Sequence, residues 1–340
     1  MDSEQAPQSN PPTTHTAVRT TAGILQAASS RFFALVLIWS MTPLAVVWSV
    51  RELHPVWALA LRFFCATPLA WLLLRGLGLR LRWDRVALRS YLAGSLGLFG
   101  AMLLCYLGAM SLPSAMIAMI FGLSPLVTGA LGHVLFKTQR LRGVQWLGML
   151  CGLLGMVVAI GVLPMQAQAL SGIGVLYTLA GMLCYVLSMF WLIHENAGLH
   201  PMVQTTGSLG LSALGFVLLL PFFLEQMPTQ LPSVSALLAV LFTIVLASVL
   251  AMLCYFDLVE RIGPTPVALT TILTPVLALC WGVLLNQEQL GAHTLFGMLI
   301  VLLGLAGYFS REIRQTLRQI WPQILRNLQK IFTNLVQAFR

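Results

Sequence analysis

Long apolar stretches separated by short polar punctuation run along nearly the whole of this 340-residue chain. A helix rises about 1.5 Å per residue, so about 20 apolar residues cross the roughly 30 Å of hydrocarbon in a bilayer. The pattern predicts ten such helices, over 32–50, 55–74, 90–109, 112–136, 143–163, 171–193, 201–224, 234–258, 262–285 and 291–310. Five fall in each half, and an odd number per half makes the second half enter the membrane upside down relative to the first. The two ends read differently. Residues 1–30 are rich in Ser, Thr, Pro and Gln, without the apolar core and cleavage site of a secretion signal, and predict a disordered cytoplasmic tail. Over 311–340, Ile313, Leu317, Ile320, Ile324, Leu328, Ile331, Leu335 and Phe339 recur every three or four residues, with Arg314, Arg318, Arg326 and Lys330 on other faces. That is a basic amphipathic helix suited to the cytoplasmic lipid interface, or alternatively to docking on a partner.

The halves share a passage. Residues 124–155 and 274–304 both open with a hydroxyl residue and Pro (Ser124-Pro125, Thr274-Pro275), place a Gly seven residues after the Pro (Gly132, Gly282), and end on late glycines (Gly155, Gly304). Ala101-Met102 with Cys105-Tyr106 answers Ala251-Met252 with Cys254-Tyr255, and His54-Pro55 answers His200-Pro201. The turn inside the first passage carries Lys137, Arg140 and Arg142, whereas the matching turn carries Glu288 and no base. Basic loops stay on the cytoplasmic side, so the two copies point to opposite faces of the membrane.

Composition adds weight to this reading. The chain is 58% hydrophobic and only 9% charged, against about 25% charged in soluble domains. With the N-terminus inside, only Arg51 falls in an external loop and only Arg62 inside a span; every other Lys and Arg lies in cytoplasmic segments. Both termini are therefore expected in the cytoplasm, and the net charge of +9 reflects contact with anionic lipid. No basic cluster interleaves with exposed aromatics, which argues against nucleic acid as a partner. All six cysteines fall inside spans, at spacings that fit neither zinc nor an external disulfide framework.

Enzyme signatures fail in turn. His194-Glu195 begins like a zinc-binding helix, but position 198 is Gly where a second His is needed. Gly172-Ile173-Gly174 is followed by Tyr177 where a dinucleotide loop needs Gly, and neither GxxxxGK[ST] nor GxSxG occurs. No enzyme activity, cofactor or metal is expected. A helical membrane bundle with few ionisable groups remains, the profile of a secondary transporter.

Trp39-Ser40 in the first span, His54-Pro55 with Leu61-Arg62-Phe63 opening the second, Leu112-Pro113-Ser114-Ala115 running into Ser124-Pro125-Leu126, and Gln145-Trp146-Leu147-Gly148 carry a family likeness. The pattern repeats from Gly172 to Gly307. The chain resembles a two-domain EamA-type transporter of the drug/metabolite transporter superfamily. The resemblance implies an all-α integral membrane fold of ten transmembrane helices as two inverted five-helix repeats, over 31–163 and 171–310, around a central cavity. It implies alternating access and small metabolites, often amino acids and often exported. The family commonly carries a Gly-Glu pair after its fourth and ninth spans; here the first half lacks the acid and only Glu288 stands in the second.

Candidate cavity residues are Trp39, Arg62, Tyr106, Ser124, Tyr185, Tyr255 and Thr274, with Pro125 and Pro275 as kinks or hinges. Arg62 lies seven residues beyond Pro55, roughly 10 Å deep. An arginine at that depth is costly and by default functional; the alternative is a structural role, snorkelling outward to pair with Glu52. Its counterpart in the second half is Ser208. Each proline frees a backbone carbonyl mid-span, in a static or a moving kink. Tyr106 and Tyr255 occupy equivalent positions at opposite sides, as an external and a cytoplasmic gate would. Asp257 is expected to pair with Arg261, and His133 either relays protons or is a hydrogen-bonded structural histidine. Gly148, Gly152, Gly297, Gly304 and Gly307 suggest close helix packing, inside one chain or between two. Lipid bilayer and a small-molecule substrate are the expected partners; proton coupling and the choice between monomer and homodimer stay open. The competing reading is a flippase for a lipid or lipid-linked carrier, which would need an apolar lateral opening between spans.

Overall fold

The computed structural model describes residues 14–137, 140–161, 172–262, 267, 269–315 and 318, and every regular element among them is helical. In chain order these are α1 (Thr14–Val50), α2 (Pro55–Gly76), α3 (Arg85–Ala109), α4 (Ser114–Val134), α5 (Gly143–Ile160), α6 (Gly172–Glu195), α7 (Pro201–Gln226), α8 (Val234–Tyr255), α9 (Thr270–Asn286) and α10 (Ala292–Tyr308). Eight of them, α1 to α8, are long and apolar enough to cross a membrane. The other two have 17 residues each, about 26 Å of helix against roughly 30 Å of hydrocarbon. Before α9, residues 263–266 lie outside the described set. So do residues 1–13 of the expected tail and most of the expected C-terminal amphipathic helix. Helix α1 starts at Thr14, inside the segment expected to be a disordered tail. After Pro12 the sequence holds no proline until Pro43 and is rich in Ala, with Ile24 and Leu25, so nothing in it stops a helix.

Helix pairs pack through small residues. In the seam between α5 and α10, a Cβ on Gly148 would meet the Gly304 carbonyl and the Tyr308 amide at 2.6 Å, and one on Gly155 the Val301 amide at 2.6 Å and the Gly297 carbonyl at 2.7 Å. Backbone touches backbone there, so the glycines serve packing inside one chain. Rising numbers on α5 meet falling numbers on α10, so the pair is antiparallel. The same order holds between α2 and α7: Trp57 donates to the Phe223 carbonyl at 2.8 Å, Phe63 stacks on Phe216 at 5.3 Å, and Gly210 faces Thr67. It holds again between α4 and α9, where Ser114 adjoins Gly282 and Glu288, and Gly122 adjoins Pro275.

Local details recur in both halves. His54 and His200 each cap the helix that follows, Nδ1 accepting from the amide of Val56 at 3.3 Å and of Met202 at 3.1 Å. Helices α3 and α8 both pass through a π-helical stretch, Leu96–Gly100 and Thr243–Leu250, just before their Ala-Met pairs. Lys137 and Gln287 both take φ of 51° after α4 and α9. The two proline helices differ: α4 is interrupted at Leu123 and resumes with Pro125 as its second residue, whereas α9 runs unbroken through Pro275.

Candidate functional site

Arg62 is 6% exposed and turns inward from α2. Its Nε donates to the Ser248 hydroxyl at 3.1 Å and one terminal nitrogen to the Tyr106 hydroxyl at 3.3 Å, with Met102 Sδ at 3.9 Å. Three helices thus converge on one guanidinium: α2 supplies it, α3 the phenol and thioether, α8 the serine. Ser248 is set by the π-helical stretch, its hydroxyl reaching back to the Thr243 carbonyl at 2.8 Å; such stretches often mark functional positions. Among the described residues no carboxylate forms an ion pair with Arg62. Glu52 is engaged elsewhere: both its oxygens bind Ser233, the N-cap of α8. The hydroxyl and amide of Ser233 hold the Glu52 carboxyl below its ordinary range. The structural alternative of an outward Arg62–Glu52 pair does not form: the arginine turns to Ser248 and Tyr106, and the glutamate to Ser233.

The remaining candidates fall into two further groups. Trp39 and Tyr255 meet with ring centroids 5.7 Å apart over one apolar cluster, whereas Tyr185 packs against the main core. Tyr106 is fully buried against Arg62 whereas Tyr255 is partly exposed beside Trp39, so the equivalent tyrosines have unlike surroundings. Ser248 and Tyr255 are seven residues apart on α8, two turns and roughly 10 Å, which sets the arginine and aromatic groups near one face of that helix. Pro275 fills the space opposite Gly122 where the first part of α4 packs on α9, and Thr274 bonds the Thr270 carbonyl at 2.8 Å; Ser124 and Pro125 open the part of α4 beyond its interruption.

Sequence reasoning missed Ser248, Met102 and a polar cluster at the α1–α2 end. There Arg51 and Trp48 both donate to Asn286 Oδ1, at 2.5 and 2.9 Å, and Asn286 donates to Glu288 at 2.8 Å. Glu288 accepts the Ser114 amide at 2.9 Å, so the retained acid caps the N-terminus of α4. A pocket of about 300 Å³ opens beside this cluster. Elsewhere Asp257 pairs with Arg261 at 2.7 Å, as expected, and with Arg31 at 3.1 Å, while His133 accepts the Leu141 amide at 3.1 Å.

The model of the EamA-like transporter family matches residues 26–161 and again 172–310. The chain belongs to that family, a family of membrane transporters. Among curated proteins it is similar to "Uncharacterized inner membrane transporter YedA" of Escherichia coli strain K12, 27% identical over 265 residues, covering 76% of this chain and 82% of that one. The proteins of that name from strains O6:H1 and O157:H7 match equally. A chain of known crystal structure aligns with a TM-score of 0.57 at 20% identity, covering 85% of this chain and 99% of its own length, a likeness of fold alone.

Proposed function

We propose that this transporter moves a small metabolite bearing an anionic group, an amino acid or related compound, outward across a bacterial inner membrane by alternating access. Its ten helices form two inverted five-helix repeats, with both termini in the cytoplasm. The antiparallel packing of α2 on α7, α4 on α9 and α5 on α10 supports the inversion, since each pair joins helices at equivalent places in the two halves. The inner-membrane location follows the relative from Escherichia coli.

The observation that carries the substrate class is Arg62. A buried guanidinium held by a serine, a tyrosine and a methionine, with the Phe63 ring 5.4 Å away, has no carboxylate partner among the described residues. A buried cation without a counter-ion is expensive, and a carboxylate or phosphate on the substrate would compensate it with bidentate geometry. The aromatic side chains of Trp39, Tyr185 and Tyr255 form the wall of the same cavity, and the Pro125 and Pro275 segments of α4 and α9 are where it opens and closes. The test is counterflow in proteoliposomes with pooled amino acids, nucleotides and sugar phosphates. Arg62→Gln is expected to abolish exchange; a well-expressed Arg62→Gln protein with full exchange sinks the proposal. Repeating the assay with an imposed pH gradient decides whether protons couple.

A lipid-flippase reading has one observation in its favour, an apolar lateral groove between α2 and α7. With 3.6 residues per turn, however, the groove positions Phe64, Thr67, Pro68 and Trp71 lie on the face of α2 opposite Arg62. A headgroup bound at Arg62 could not keep its chains in that groove, which favours the metabolite.

A further inference from the structure

Helices α2 and α7 are fastened at one end and splayed at the other. Trp57 bonds Phe223, His54 stacks on the Phe223 ring at 5.0 Å, and Phe63 stacks on Phe216. Beyond Thr67 the contact opens into a groove of about 600 Å³. Gly207 and Gly210 supply no side chain to fill it: the Tyr91 ring occupies the space beside Gly207, while a Cβ on Gly210 would meet only Thr67 Cγ2, at 3.8 Å. Leu81, Trp83 and Leu88 close the far end. The walls are almost wholly apolar, and the mouth is not. Trp83 is 72% exposed, and the Arg75 guanidinium lies 5.0 Å from the centroid of the Trp71 ring. Between 75 and 89 the chain carries Arg75, Arg80, Arg82, Arg85 and Arg89, all exposed, against Asp84 alone, which Arg82 engages at 2.9 Å.

We infer that this groove binds one anionic phospholipid, an acyl chain between α2 and α7 and the phosphate among Arg75, Arg80 and Arg85. An apolar slot alone would accept any acyl chain. The net positive charge at its rim, beside tryptophans at the depth where indoles anchor to an interface, selects the anionic headgroup. The site stands apart from Arg62 and holds a lipid as a ligand, not as cargo. It rests on the proposed topology only for its leaflet, which is the cytoplasmic one, where anionic lipid is available.

The test is native mass spectrometry of the purified full-length protein in detergent, titrated with phosphatidylglycerol and with phosphatidylcholine of the same chains. Phosphatidylglycerol is expected to be retained preferentially, with about a fivefold loss for each of Arg75→Gln and Arg85→Gln. Gly210→Phe, whose Cβ would meet only Thr67 Cγ2 at 3.8 Å and whose ring fills the slot, is expected to remove retention of both lipids. Equal retention of the two lipids, or phosphatidylglycerol retention unmoved by the exposed arginine substitutions, overturns the proposal; those two variants leave the core untouched, so a misfolded Gly210→Phe does not blunt the test. Binding in detergent has no sidedness, so it reads the site alone, whereas labelling of the α2–α3 loop in cells reads the topology.

Discussion

Three helices place hydrogen-bonding atoms around the Arg62 guanidinium, yet none brings a negative charge. Hydrogen bonds to a charged group are worth about 1.5–3 kcal/mol each, but Coulombic compensation is still missing, and that is what a substrate would add. The partners then orient the fork. Tyr106→Phe removes one acceptor and leaves a donor free to rotate away from the substrate. It is expected to raise the counterflow KM about tenfold, with Ser248→Ala raising it less because Ser248 holds the inner nitrogen. An unchanged KM in Tyr106→Phe would take the tyrosine out of the site. Arg62→Lys keeps the charge but not the fork, so it is expected to retain exchange at reduced affinity while Arg62→Gln does not. Arg62 stood out in the sequence because a charge inside an apolar run has few explanations. Ser248 did not, because a serine in such a run reads as packing until the helix next to it is known.

The α5–α10 seam is the tightest helix pair and gives the clearest stability test. Gly155→Ala puts a Cβ 2.6 Å from the Val301 amide, a backbone atom that cannot swing aside. Overpacking of this kind costs about 1–3 kcal/mol, so the variant is expected to melt several degrees lower in fluorescence-detected size exclusion. Leu154→Ala, one residue away but 62% exposed, is expected to melt like the parent; equal losses in both would mean that the seam is not the constraint. A second element-level device is the Glu52–Ser233 contact, which ties the α1–α2 turn to the start of α8. The folded carboxyl titrates below its ordinary value of 4.5. Its contribution is therefore present above that value and lost as pH falls through the depressed one. Between about pH 5 and pH 3 the parent is expected to lose more melting temperature than Glu52→Gln, and parallel curves would dismiss the contact. Most of the expected apolar stretches match helices to within about five residues, since apolar length alone locates them, but α1 starts at Thr14 and α9 at Thr270, where expectation put 32 and 262. The interruption of α4 at Leu123 and the π-helical stretches of α3 and α8 were not legible, because they depend on how helices fit together. Pro125 and Pro275 look identical in sequence, but only one stands at a helix break.

At the scale of the whole molecule, the contacts sort the loops into two ends before any membrane is considered. One end gathers Arg51, Glu52, Ser114, Ser233, Asn286 and Glu288 through their hydrogen bonds, and Gly161 joins it against His293. The other end gathers Arg31 with Asp257 and Arg261, Arg82 with Tyr91, Ser90 with Gln204, and Phe136 stacked on Phe190. The first set holds a single arginine. The second adjoins the loops that carry Arg75, Arg80, Arg85, Arg89, Lys137, Arg140 and Arg142. Charge asymmetry between the ends orients a bundle when it is counted over short loops, and here every internal loop is short. The expected outcome is that Gln289→Cys reacts with a membrane-impermeant maleimide on intact cells, whereas Arg80→Cys reacts only after permeabilisation, both read against the background of the native cysteines. The reverse labelling would turn the molecule over and move the phospholipid groove to the outer leaflet. Labelling of both from outside would break the inversion itself, since α2 would then begin and end on one side. The asymmetry also explains why the two halves diverge where they do. Lys137 and Gln287 share a backbone conformation, but on the proposed orientation the first turn carries its bases to the cytoplasmic side, whereas the second supplies the acid that caps α4.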